Sequence, residues 1–140
     1  MIRTSILLLA LALPAAAQSN AAGERPVAGS FTEDQAAKGE NVFKATCASC
    51  HATSDFTGQT FKMNWIGRTV YDYFAGVKKT MPDDNPGSLS DDEYVRVVSY
   101  ILSLNGYPAG KDSLSADSTS MKLVKIGPVS GDSVKPRMFK

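Results

Sequence analysis

Cys47-Ala48-Ser49-Cys50-His51 gathers two thiols and an imidazole into five consecutive residues. Cysteines three apart on a helical turn lie about one turn from each other. Both can therefore add across the two vinyl groups on one edge of a porphyrin, while the next residue points its imidazole at the iron. This is the attachment pattern of a covalently bound c-type haem. The chain contains two cysteines and one histidine, all of them here, which leaves room for one such haem. A structural zinc site needs four Cys or His ligands, one more than the chain holds. A thioredoxin-like dithiol would need an alternating βαβ pattern nearby, and none is present. A Cys47–Cys50 disulfide would leave His51 without a role.

The elements expected to position these residues are helical. Thr32-x-x-Gln35 is a capping box that opens a first helix, with Ala36, Gly39, Val42 and Phe43 at helical spacing. Glycine inside an isolated helix costs about 1 kcal/mol, so Gly39 predicts a second helix crossing closely there. Thr69-x-x-Asp72 starts a second helix with Val70, Phe74 and Val77 on one face, ending before Met81-Pro82. Ser90-Asp91-Asp92-Glu93 caps a third, in which Tyr94, Val97, Val98, Ile101 and Leu102 form a continuous apolar face. Gly106 and Pro108 close it. Between the first two helices, Ala52 to Gly67 reads as a loop whose Phe56, Phe61, Met63, Trp65 and Ile66 need something apolar to cover, and a haem edge fits. No strand run and no internal repeat stand out.

The rest of the 140 residues divides around this core. Arg3, the apolar run Ile6 to Leu13 and Ala15-Ala16-Ala17 fit a cleavable signal peptide over residues 1–17, too short to span a bilayer. Residues 18–30 read as a flexible lead-in, 31–107 as the haem domain, and 108–140 as a tail. In that tail Met121 to Ile126 suggests a short extended segment that either wraps the domain or docks on a partner. Removing residues 1–17 takes away Arg3 and no acid, so the formal charge falls from +1 to 0. A balanced chain argues against nucleic-acid binding. Asp83, Asp84, Asp91, Asp92 and Glu93, with Lys78 and Lys79 before them, read as a solvated face with helix-end charges in preference to a docking patch. A domain this small has a thin core, so the haem serves as its apolar centre and the apoprotein is expected to fold poorly.

Together these elements resemble the class I c-type cytochromes over about Phe31 to Tyr107. The resemblance implies an all-α fold of helices wrapped around one haem, with Gly39, Phe43 and Tyr100 forming the family's contact between first and last helices. Thr80-Met81-Pro82 resembles the family's distal turn, where a methionine sulfur completes the iron coordination. The stretch Thr80-Met81-Pro82, Asn85-Pro86-Gly87-Ser88-Leu89-Ser90, Glu93-Tyr94 and Tyr100 to Gly106 is similar to cytochrome domains associated with quinoprotein (PQQ) dehydrogenases. The separation of His51 and Met81 by only thirty residues marks a compact version of the family.

His51 is the proximal ligand, since no second histidine exists. Met63 and Met81 compete for the distal position; Met121 and Met138 lie in the weakly patterned tail. Met81 is preferred, because it follows a helix and precedes a proline, with Pro86 and Gly87 shaping the return. Met63 reads better as a core or haem-contact residue. Trp65 reads equally well as packing and as an N–H donor to a haem propionate; Arg68 and Tyr71 read as solvent-facing. His/Met ligation raises the potential relative to bis-histidine haem and fills both axial positions. The expected function is therefore electron transfer and not catalysis. The expected carrier is periplasmic, takes single electrons from a dehydrogenase, by resemblance a quinoprotein, and passes them to an oxidase or another cytochrome. No membrane span is expected after signal cleavage. The competing readings are an open-site haem sensor or enzyme, and a structural haem subunit of a larger redox complex.

Overall fold

Three side chains that start helices set the frame of the domain. Thr32 opens α1 (Glu33–Val42), Thr69 opens α3 (Val70–Thr80) and Ser90 opens α4 (Asp91–Leu104). Each hydroxyl accepts from the backbone N–H three residues on, and the side chain there accepts from the cap's own N–H. These reciprocal caps satisfy amides that a helix start otherwise leaves unpaired. The computed structural model describes residues 24–129; the expected signal peptide and the last residues of the tail lie outside that range. Among the described residues no helix is long and apolar enough to cross a membrane.

α1 and α4 cross in contact at Gly39. A Cβ on that residue would run into the Arg96 carbonyl and lie 2.9 Å from Tyr100 Cβ, so only glycine admits this approach. One turn later Phe43 meets the Tyr100 ring at 5.6 Å between centroids. α4 carries the centre of the core, with Tyr94, Val95, Val98, Ile101 and Leu102 at most 1% exposed.

The segment expected as loop between the cysteine motif and α3 is largely helical. A 3₁₀ turn spans Thr53–Phe56 and α2 spans Gly58–Trp65. Its only buried residue is Phe61, whose ring lies between Tyr73 (5.8 Å) and Tyr107 (6.3 Å). Local signals are weak: Thr57 makes no side-chain cap bond and Gly58 sits at φ 64°. Tertiary burial of Phe61 sustains the helix. Its aromatics therefore cover protein, with Phe56 alone turned to the cysteine motif.

Both flanking segments belong to the folded body. Of the stretch read as flexible lead-in, residues 24–30 are anchored: β1 (Arg25–Pro26) pairs in parallel with β2 (Val124–Lys125). Val27 is buried, as is Phe31 just beyond the stretch. The tail wraps the domain. Met121 of α5 (Ser118–Lys122) and Val124 of β2, with Leu114 and Ile126 on either side, enter the same core. Gln35 of α1 bonds both backbone groups of Leu114, at 2.8 and 2.9 Å. On its other side β2 holds the residues before α3, with Gly67 N–H donating to Ile126 (2.8 Å) and Ile126 N–H to Arg68 (2.9 Å).

Candidate haem site

The cysteine motif continues directly from α1. The five residues Phe43–Cys47 form a π-helical turn, wider than an α turn, and Ala48 N–H closes it on the Phe43 carbonyl at 2.9 Å. The next turn folds back on Cys47, whose carbonyl accepts from Cys50 (3.2 Å) and His51 (3.0 Å). Both thiols are free; Cys47 is half-buried and Cys50 exposed. Burial pushes the Cys47 thiol above its ordinary range. The His51 ring meets Phe56 edge-on at 5.1 Å. On its other side Nδ1 lies 3.9 Å from an Asp55 carboxylate oxygen, beyond hydrogen-bond range. That oxygen accepts from Ala52 N–H at 3.0 Å, which fixes the carboxylate beside the imidazole.

Cys47, Cys50, His51 and Met81 line one cavity of about 600 Å³. Its walls are Phe43, Phe56, Tyr73, Val77, Leu89, Val97 and Ile101, and the Pro82–Asn85 turn forms part of its rim. This is the volume range of cofactor sites, predominantly apolar with a few placed polar groups. A flat apolar macrocycle suits such walls, with two thiols for its edge and a nitrogen and a sulfur donor for its metal. The residues fit a covalently attached haem.

Met81 ends α3. Its N–H donates to Val77 (2.8 Å), while its carbonyl accepts from Tyr94 Oη (2.6 Å) and Gly87 N–H (3.3 Å). Gly87 turns the chain back at φ 78°. Met63, the rival, is 72% exposed on α2 and is absent from the cavity lining. It is therefore neither core nor haem contact, contrary to the sequence reading.

Trp65 does not line the cavity either. α2 turns its indole toward α3, where Gly76 leaves room and Tyr73 lies 4.5 Å away between centroids. Tyr73, not Trp65, lines the cavity, and the Arg68 guanidinium sits 5.4 Å from the centroid of the indole. Arg68 is exposed as expected, whereas Tyr71, expected to face solvent, is half-buried under Lys122 (4.7 Å) and does not line the cavity.

Tyr73 itself was missed. It is 3% exposed, lines the cavity, and burial followed by the nearby Cys47 thiolate raises its phenol well above the ordinary value. Its position three residues after Val70 and four before Val77 put it on the apolar face of α3. A polar aromatic on that face was the available signal.

A small helical domain closed by an α1–α4 crossing, with Cys-x-x-Cys-His and methionine on one cavity, is the arrangement of a class I c-type cytochrome. Residues 34–101 match the family model of cytochrome c oxidase, cbb3-type, subunit III. Domains of this class carry covalently bound haem c and transfer electrons with redox partners. No curated protein and no solved structure matches the chain.

Proposed function

We propose that this protein is a periplasmic monohaem cytochrome that carries single electrons between a dehydrogenase and a terminal acceptor. In this reading Cys47 and Cys50 would hold the haem by thioether links, and His51 and Met81 would ligate its iron. The observation that carries it is the common cavity of those four residues, with Met63 left in solvent. When bound, the haem supplies an iron that alternates between ferric and ferrous forms. The protein's part would be to supply the His51 nitrogen and the Met81 sulfur to that iron and to keep the site dry, by Phe43, Phe56, Val97 and Ile101 along the walls. A filled, apolar site favours electron transfer over binding of oxygen or peroxide. The signal-like residues 1–17 support export to the periplasm, which N-terminal sequencing of the mature protein would test.

A quinoprotein dehydrogenase is the proposed donor, supported by the resemblance of the Thr80–Gly106 region. The description of the matched family, an oxidase subunit, favours a second reading: a haem subunit resident in a larger redox complex. Copurification from native membranes at two salt concentrations separates them, because a transient carrier is lost at high salt.

The oxidised absorption spectrum tests the ligands. The wild type is expected to show the weak near-infrared band of an iron–methionine sulfur bond. Met81→Ala should abolish it, lower the potential and admit carbon monoxide to the ferrous form. Met63→Ala should leave all three unchanged, with stability within about 0.5 kcal/mol. A wild type that lacks the band and already binds carbon monoxide has an open iron, and the carrier reading fails.

A further inference from the structure

A thioether is a weak donor to iron, so a methionine ligand depends on its main chain to hold the sulfur in reach. Here the main chain leaves α3 and enters a turn whose residues from Asp83 to Ser88 are all exposed. Within the turn, the restraint on the Met81 carbonyl is the Gly87 N–H at 3.3 Å, a long bond to a residue that is itself exposed. The closer restraint comes from outside it. Tyr94 Oη donates to that carbonyl at 2.6 Å. Tyr94 is 1% exposed, and Phe74 of α3 meets its ring edge-on at 6.3 Å. A ring packed on that side cannot follow the turn outward, so the hydrogen bond ties the turn to α4. The same helix supplies Val97 and Ile101 to the cavity wall.

We infer that Tyr94 is the positioning residue for the distal ligand: its hydroxyl pins the Met81 main chain to α4 and keeps the sulfur over the haem. This rests on the reading of Met81 as ligand. Preorganisation of this kind belongs to supporting residues locked by packing.

The test uses haem-loaded wild type, Tyr94→Phe and Tyr107→Phe. Tyr107 makes an equally short bond of 2.6 Å, to the Gly127 carbonyl in the tail, so its variant loses a buried tyrosine hydroxyl away from the turn. Imidazole, added to the ferric protein, competes for the distal position. Tyr94→Phe is expected to bind it about five- to tenfold more tightly, the worth of one hydrogen bond, with a weaker near-infrared band and a lower potential. Tyr107→Phe is expected to match wild type in all three. In the diamagnetic ferrous wild type, proton NMR should show a slowly exchanging Tyr94 hydroxyl in contact with Met81 or Pro82. Imidazole binding by Tyr94→Phe equal to wild type, or the lack of that proton signal, overturns the inference while the ligand reading stands. A wild type without the near-infrared band overturns both.

Discussion

Asn105 holds the carbonyl of Phe56 at 2.8 Å across forty-nine positions of sequence. The same amide oxygen and nitrogen engage Gly58 N–H (3.2 Å) and the Ile101 carbonyl (2.9 Å). Phe56 in turn lies against His51. The C-cap of α4 therefore braces the His51 side of the cavity, as Tyr94 in its first turns reaches the Met81 side.

Asn105→Ala removes all three bonds and is expected to cost about 1–3 kcal/mol, since each contributes about 0.5–1.5 and part of the loss is recovered by water. The denaturant midpoint of the haem-loaded protein, at an unchanged m value, measures it. A change below about 0.5 kcal/mol would place the bonds among contacts that solvent replaces freely.

Gly39→Ala should raise helix propensity by up to ~1 kcal/mol and still destabilise, because the new methyl meets the Arg96 backbone. A backbone carbonyl cannot rotate away, so a net loss of about 1–3 kcal/mol is expected. Thermal unfolding gives the sign directly; a stabilised variant would mean that α1 and α4 separate without cost.

Cys47→Ala and Cys50→Ala should each leave one thioether link. The double variant should lose its haem entirely to acidified acetone. Haem that stays in the protein layer after both changes would rule out attachment through this pair.

Acid sensitivity should come from the capping carboxylates. Hydrogen bonds from Thr69, backbone first and hydroxyl second, hold the Asp72 carboxyl below its ordinary value; Arg68 and Lys125 assist and burial opposes. Glu93 and Asp117 are lowered in the same direction by Ser90 and Ser120. A carboxyl lower in the folded than in the unfolded chain adds stability above its unfolded pKa, about 4 for Asp. That stability is lost as pH falls through the folded value. Asp72→Asn should therefore lower the melting temperature near pH 7 and flatten its decline below about pH 4. A parallel decline in the variant would assign the acid limb to other groups.

A chain ending at Tyr107 would lose Leu114, Met121, Val124 and Ile126, each at most 3% exposed. Burial of each such side chain is worth about 1.5–3 kcal/mol. The truncated protein is expected to melt far below the full chain or fail to retain haem. Melting within about 2 °C of it would show that residues 31–107 stand alone.

What the sequence made legible were features with a local signature. The capping boxes at Thr32, Thr69 and Ser90, the glycine–aromatic pair of α1 and the cysteine motif all need only neighbours within a few residues. α2 escaped because one buried residue, Phe61, anchors it and the partners Tyr73 and Tyr107 are remote. The choice between packing and propionate donation for Trp65 stayed open for the same reason: the direction of an indole depends on the room left by Gly76 of another helix. The pairing of Arg25–Pro26 with Val124–Lys125 has no periodic signal at two residues a side. Tyr94 was legible as core through its spacing, while its hydroxyl's partner lay in the fold alone.

The strip around β2 gathers three distant pieces of chain into a single opening unit. Arg25 and Val27 donate to Leu123 and Lys125, and Gly67 donates to Ile126. Lifting β2 breaks all of these at once, so the three amides should exchange with deuterium at one common rate. That rate should follow the solution conditions as a group, apart from neighbouring amides in α1 and α3. The entry to α3, and through it the span that carries Met81, is thereby coupled to whether β1 and β2 stay together.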